Sequence, residues 1–481
     1  MQNVSCPSCG AQVAFRSHAS VMAVCEFCKT TVLKDADSVK DAGKMSDVLE
    51  DYSPIQIGTS GTFGSHAFTV IGRIQLRYPD GLWNEWYLMF DDGNAAWLGD
   101  ASGQYMLTTE RPADPNLPLF DQLAIGAKVP IDGKLYVASD IRTANCTGGQ
   151  GELPFRVGEG WQARVADLRS GEHFVTLDYS DGDKPTLYAG HAVTLASLKC
   201  QLLRDDDQVL AAAGKVRGKV SPLSCPSCGS AVNFVPGMTT HLVCPSCQAQ
   251  VDTSGAVATV IAAGERVAAV HTTLELGAKA TIAGNPFEVI GLMRRADDEN
   301  TEWTEYLMHH PRFGFVWIVE TDEGWWRADV LDNWPERNGD AVRFDGKDWK
   351  KLYDYPARVT FAAGAFNWRV RVGDTVHVTE FESGRNTLAA EKTHEELSWS
   401  MSTPVPPDMI SAWFEQQIAA KLGAAKTESG SMTAMSRRFI IGLLLFNSIP
   451  LLATFGRTWL IILIAIAALY IPAWYLDSHN D

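Results

Sequence analysis

The chain has 481 residues, 46% of them hydrophobic and 20% charged, which is ordinary for globular protein and enough for about three or four domains. Its net charge of −16 excludes a large nucleic-acid footprint, which needs clustered Lys and Arg. The opening MQNVSCPSCG has no charged n-region and no apolar h-region, so no cleaved signal peptide is expected.

Taken in chain order, the first feature is a set of four cysteines, Cys6, Cys9, Cys25 and Cys28, spaced C-x2-C-x15-C-x2-C. The same spacing recurs at Cys225, Cys228, Cys244 and Cys247, a constant step of 219 residues. Cysteine pairs at this spacing form a zinc ribbon, in which four thiolates close a tetrahedral site with no open position for substrate. Two zinc ions per chain are expected, with iron in a rubredoxin-like site as the rival. Such thiolates must stay reduced, which places them in the cytoplasm. Cys146 and Cys200 stand outside any motif and read as small buried hydrophobes.

The repeat extends past the cysteines. Phe68 and Val70-Ile71-Gly72 match Phe287 and Val289-Ile290-Gly291, and Trp83-x-Glu85-Trp86 matches Trp303-x-Glu305-Tyr306. Trp97-Leu98 matches Trp317-Ile318, and Asp132-Gly133-Lys134 matches Asp345-Gly346-Lys347 at an offset of 213. The expected order is zinc ribbon 1 over 1–34, a linker helix over 35–53, β domain 1 over 54–213, ribbon 2 over 221–252, a linker over 253–270 and β domain 2 over 271–402. Phe68, Val70, Ile74, Leu76 and Tyr78 alternate as one face of a half-buried strand. Trp161, Ala163 and Val165 repeat that pattern, as do Trp368, Val370 and Val372. The Gly148-Gly149-Gln150-Gly151 run reads as a flexible loop. The fold class is therefore mainly β: two ribbons alternating with two homologous antiparallel β domains, barrel- or sandwich-like.

An amphipathic helix is predicted over 408–426, with Asp408 as N-cap and Ile410, Trp413, Phe414, Ile418 and Leu422 as its apolar stripe. The tail then turns apolar over Phe439–Phe455 and Thr458–Leu476. One helix over both runs would reach about 57 Å at ~1.5 Å per residue, nearly twice a bilayer core of ~30 Å. A transmembrane hairpin over 438–476, turning at Gly456-Arg457-Thr458, fits better. Arg437-Arg438 ahead of it puts both ends in the cytoplasm.

Beside the cysteines, the residues that could carry function are Trp83, Glu85, Trp86 and Trp97, with Trp303, Glu305, Tyr306 and Trp317. A carboxylate between indoles suits a cation. Nothing pairs it with a nucleophile, so no catalytic residues are assigned. There is no Gly-Lys followed by Ser or Thr and no Gly-x-Ser-x-Gly, which removes the P-loop and the hydrolase elbow.

A ribbon followed by a β domain with Trp-x-Glu-aromatic and then a Trp-Leu-like pair resembles the bacterial domain-of-unknown-function 4178 family. Copy two also carries Gly324-Trp325, where copy one has Gly103-Gln104-Tyr105. Members of that family are similar to proteins encoded beside polyamine-synthesis-like enzymes and small membrane proteins, which implies an accessory role. The function expected is a non-enzymatic adaptor or scaffold, anchored in the bilayer of a bacterial inner membrane with its soluble domains cytoplasmic. Its partners would be proteins, other membrane or polyamine-related ones among them, and not nucleic acid. The alternatives are a sensor of a small cationic ligand in acidic aromatic clefts, and an unrecognised hydrolase or transferase.

Overall fold

The computed structural model describes residues 2–17, 20–35, 38–44, 53–101, 103–112, 116–158, 160–205, 223–232, 241–252, 259–262, 272–310, 312–338, 341–366, 368–416, 465–468 and 470. The chain divides into two compact units, residues 1–321 with 325–418 and residues 322–324 with 419–481. In the second, residues 465–468 are helical. The rest of the expected hairpin over 438–476 lies outside the described residues, save residue 470. Among the described residues no helix is long and apolar enough to cross a membrane.

The first unit is built from strands in two matching sets. Ribbon one supplies β1 (Gln2–Ser5), β2 (Gln12–Phe15), β3 (Met22–Val24), β4 (Thr30–Asp35) and β5 (Ser38–Lys44). Then come β6 (Ser60–Phe63), β7 (His66–Tyr78), β8 (Gly81–Phe90), β9 (Ala95–Ala101) and β10 (Gln104–Arg111). β11 (Lys128–Ile131), β12 (Lys134–Leu153), β13 (Trp161–Ser170), β14 (His173–Asp178) and β15 (Thr186–Val193) complete the first β domain. Ribbon two has β16 (Leu223–Ser224), β17 (Ala231–Val232), β18 (His241–Val243), β19 (Gln250–Asp252) and β20 (Thr259–Ala262). The second domain begins with β21 (Lys279–Ile282), β22 (Asn285–Ala296), β23 (Glu302–His310), β24 (Gly314–Glu320) and β25 (Trp325–Val330). It continues through β26 (Glu336–Asn338), β27 (Ala341–Phe344), β28 (Lys347–Phe366), β29 (Thr375–Ser383), β30 (Asn386–Lys392) and β31 (Leu397–Val405).

Antiparallel pairing runs β7-β8-β9-β10-β15-β14-β13-β12, and β12 returns to pair with β7. Eight strands thus close a barrel. The second domain closes in the same order, β22-β23-β24-β25-β31-β30-β29-β28, with β28 returning to β22. Closure removes the open sheet edges that would otherwise invite aggregation.

One long strand makes each closure. β12 runs beside β13 from Val137 to Cys146, beside β7 from Gly148 to Gly151, and beside ribbon strand β3 at Glu152 and Leu153. The glycine run expected as a loop is therefore part of this strand. A Cβ on Gly151 (φ 67°) would stand 2.2 Å from Ile71 O, and one on the facing Gly72 would stand 1.9 Å from Glu152 O. Gly364 (φ 92°) and Gly291 repeat the pair, at 2.4 Å from Ile290 O and 2.5 Å from Ala365 O. Only glycine accepts both the left-handed turn and the close backbone approach.

A bulge between Val70 and Gly72 recurs between Val289 and Gly291. It corrects the reading of β7 as one apolar face. Phe68 and Val70 pack outside the barrel with Trp86 and Leu98, whereas Ile74, Leu76 and Tyr78 join the lumen cluster with Tyr87, Ala144 and Ala163. An extra residue at a bulge swaps the faces of everything beyond it. Trp368, Val370 and Val372 do not form a strand, since β29 begins at Thr375. Trp368 instead lies tilted against Trp317 (5.7 Å between centroids), at the place where Phe155 stacks on Trp97 (5.8 Å).

The linker helix expected over 35–53 is replaced at Ser38–Lys44 by β5, which pairs with β4. Residues 45–52 and most of the 253–270 linker lie outside the described residues. The helix predicted over 408–426 appears as α1 (Pro407–Phe414), whose N-cap is Pro406 and not Asp408. Glu415 takes a left-handed conformation (φ 50°) and ends it. Ile410, Trp413 and Phe414 pack on the second barrel beside Ala280 and Tyr306. Ile418 and Leu422 lie outside the described residues.

Ribbon one is tied to its barrel by a buried carboxylate. Glu152, 1% exposed, accepts from the Arg16 and Ser17 amides (2.6 and 3.0 Å) and the Ser20 hydroxyl (3.0 Å) through one oxygen. Arg16 Nη1 approaches the other at 3.5 Å. In the second module Ala365 follows the corresponding glycine, and β18 pairs with three residues of β28 instead. Glu152→Ala leaves two amides and a hydroxyl without their acceptor and should destabilise module one by about 2–4 kcal/mol. Denaturation should show that loss, and limited proteolysis should cut ribbon one first.

Candidate metal centres and barrel lumens

Each cysteine pair sits on a knuckle formed by its own backbone. The Cys6 amide donates to Ala11 O (2.7 Å) and the Gly10 amide donates back to Cys6 O (2.8 Å). The same two bonds recur at Cys25 with Thr30 and Lys29, at Cys225 with Ser230 and Gly229, and at Cys244 with Ala249 and Gln248. The fourth residue after each first cysteine is left-handed: Gly10 (φ 77°), Lys29 (59°), Gly229 (76°) and Gln248 (58°). The sequence displays this turn at the two glycines and hides it at Lys29 and Gln248.

The knuckles bring each set of four sulfurs within 4.8 Å of one another. Cys6 and Cys28 are 3.6 Å apart, as are Cys9 and Cys25. In the second set the distances are 3.8 Å for Cys225–Cys247 and 3.7 Å for Cys228–Cys244. A tetrahedral site with metal–sulfur bonds of ~2.3 Å has an edge of about 3.8 Å, so both sets could hold a metal ion. Thr30 Oγ1 lies 3.2 Å from Cys28 and Ser230 Oγ lies 3.4 Å from Cys228. These hydroxyls favour the thiolate and lower both thiols to about 6. Cys146 and Cys200 belong to the packing: burial pushes their thiols up to about 12 and about 11. An exposed trio, His66, Asp91 and Asp92, also gathers within 4.8 Å, with His66 and Asp91 paired at 3.1 Å. It has no counterpart in copy two, where Asn285 replaces the histidine.

The aromatic residues expected to surround Glu85 split between two faces. Trp83 and Glu85 lie on the lumen face of β8, where Trp83 Nε1 donates to Glu85 Oε1 (3.1 Å). Trp303 Nε1 and Glu305 Oε1 repeat the bond at 2.7 Å on β23. Trp97 and Trp317 line the same lumens one rung further along, opposite Tyr87 and Leu307. Trp86 and Tyr306 point the other way, into the outer cores. Trp86 Nε1 donates to Asp100 (3.3 Å) and the Tyr306 hydroxyl to Glu320 (2.6 Å). They are structural and drop out of the candidate site. Tyr105 occupies in the first outer core the place of Trp325 in the second.

The lumen also holds carboxylates outside the Trp-x-Glu motif. Asp167 on β13 and Asp178 on β14 are the groups whose charge bears on Glu85. Their counterparts at the offset of 213 are Glu380 and Glu391. Register confirms the match, with Asp178 opposite Val165 and Glu391 opposite Val378. That offset was the available signal. Burial pushes Glu85 up to about 7 and Asp167 to about 6. Burial also raises Glu305, against the pull of Arg295, whose guanidinium lies 3.6 Å from Glu305 and 3.0 Å from Glu391.

Fold and site together define a duplicated β-barrel protein in which each barrel carries a four-cysteine ribbon. The family model for the domain of unknown function DUF4178 matches residues 56–195 and 275–407, more than half of the sequence, and the chain belongs to that family. Both matched regions coincide with the barrels. No curated protein and no solved structure matches the chain.

The raised carboxyl of Glu85 sets a pH dependence. The unfolded group ionises near 4.5 and the folded one near 7. Between those values the folded state keeps a proton the unfolded state has lost, so the Glu85 contribution to stability falls as pH rises. Glu85→Gln should remove this slope. It should match the parent at pH 4 and exceed it at pH 8 by up to about 2 kcal/mol, less than the full shift because water reaches the carboxylate. Glu305→Gln should instead cost about 2–4 kcal/mol at pH 8, since it strips a partner from buried Arg295. Urea titrations of the three proteins at both pH values measure these differences.

Proposed function

We propose that the chain is a non-enzymatic adaptor in which zinc holds a ribbon against each barrel and the apolar tail fixes the whole to a membrane. The observation that supports this reading is how each ribbon continues its barrel. Strands β3 and β18 hydrogen-bond to the ends of β12 and β28, the strands that close the barrels. Metal binding then braces the barrel edge and presents the knuckles outward, with Phe27 76% exposed at one of them. Four thiolates leave no position for substrate, which favours a structural ion over a catalytic one. Zinc is the ion proposed, because the thiolate tetrahedron suits it and its binding contributes folding energy directly. The membrane reading rests on the apolar runs Phe439–Phe455 and Thr458–Leu476 behind Arg437-Arg438, with the cytoplasmic face of a bacterial inner membrane as the location.

Freshly purified, reduced protein should contain two zinc ions per chain and be colourless. A red protein with an iron content of that size would replace zinc by iron, and less than about one metal per chain would remove the centres altogether. Cys225→Ser should halve the metal content and loosen ribbon two while barrel two stays folded. Truncation after Met435 should move the chain from the membrane fraction to the supernatant. A truncated chain that still sediments with membranes would refute the tail as anchor.

A further inference from the structure

We propose that the lumen of the first barrel binds a small organic cation carrying an ammonium or guanidinium group, in the place that the second barrel fills with its own Arg295. The second barrel supplies the comparison within one chain. Arg295 sits 7% exposed in that lumen. Its Nη1 lies 3.0 Å from Glu391 and its Nε 3.6 Å from Glu305, while Trp303 holds Glu305 and Tyr355 holds Glu380 (2.7 Å). A guanidinium between carboxylates and aromatic rings is how proteins recognise such cations.

The first barrel keeps the carboxylates and lacks the guanidinium. Register places Leu76 opposite Trp83 as it places Arg295 opposite Trp303. Leu76 therefore stands where the arginine would be. Two of the three carboxylates are also shorter by one methylene, Asp167 for Glu380 and Asp178 for Glu391. The nearby arginines are engaged elsewhere. Arg142 pairs with Asp140 (2.6 Å) and Glu396 (2.8 Å) over the Tyr78 ring, and Arg169 stacks between Phe174 and Trp334. Asp167, Asp178 and Trp83 are partly exposed, as are their counterparts Glu380, Glu391 and Trp303, and Glu85 is partly exposed where Glu305, beside Arg295, is buried. The first lumen thus presents partly exposed carboxylates and an indole wall with no arginine on the rung of Trp83, its Arg142 being held by Asp140 and Glu396, and the second shows which group that rung accepts. This proposal goes beyond the adaptor reading and stands whether or not the tail anchors the chain.

The test is calorimetric titration of the full chain in detergent with n-butylguanidinium, a free copy of the arginine head group, and with n-butylammonium. One saturable equivalent per chain is expected, tighter at pH 8 than at pH 6, where Glu85 is more often protonated. Glu85→Gln and Asp178→Asn should each weaken binding by about tenfold or more. Leu76→Arg should abolish it and raise the melting temperature by supplying the cation covalently. Arg295→Leu should add a second equivalent. No saturable binding by the wild-type chain up to 10 mM of either cation, with its melting transition intact, would overturn the proposal; so would equal binding by wild type, Glu85→Gln and Leu76→Arg. If Arg295→Leu fails to fold, the wild-type and Leu76→Arg titrations still decide.

Discussion

Everything in the first unit depends on the backbone contact between two glycines, Gly72 against Gly151 and Gly291 against Gly364. At that contact one strand leaves its barrel neighbours, closes the ring and passes into the ribbon. Any side chain at these places would meet a carbonyl oxygen at 1.9–2.5 Å. Closure, bulge and ribbon attachment are therefore one geometric event. The bulges at Val70/Gly72 and Val289/Gly291 fall on the same rung, because the closing strand needs the partner backbone to bend toward it. The bulge then decides which residues of β7 and β22 face inward, and so what the lumens contain.

Duplication preserved this frame and let the lumens diverge. The rung carrying Trp83 and Glu85 is the rung carrying Trp303 and Glu305, down to the indole–carboxylate bond. Around it, one copy sets Arg295 on the rung of Trp303 and the other sets Leu76 on the rung of Trp83. Burying these acids is a standing electrostatic cost, and the raised carboxyls of Glu85 and Asp167 are its signature.

Much of this was legible in the sequence, and the failures have physical causes. Cysteine spacing located both metal-competent sets because knuckle geometry dictates ligand separation. Asp132-Gly133 and Asp345-Gly346 marked hairpins, and both pairs are left-handed (φ 49° and 75°, 51° and 71°). Period-two alternation found β7 and yet assigned its faces wrongly, since a bulge is invisible to a fixed period. Trp86 and Tyr306 were grouped with Glu85 because adjacency in sequence is opposition in a strand. Asp167, Asp178 and Arg295 were missed because they reach the lumen from other strands, and only closure of the barrel brings them to Glu85.

The ribbons show why metal and barrel belong together. Their cores are a handful of buried residues each, Val13, Phe15 and Val32 among them in the first and Leu242 and Val251 in the second, beside the cysteines themselves. Modules this small do not hold a fold by burial alone. Each draws on two other sources, the coordination its thiolates can offer and the hydrogen bonds it makes to the end of the closing strand. The first module adds Glu152 to a short two-residue pairing, and the second relies on a three-residue pairing. The strength of each ribbon is thus set partly by the barrel it extends. Through β12 and β28 each ribbon is continuous with the glycine contact, where the lumen, the outer core and the ribbon share a strand.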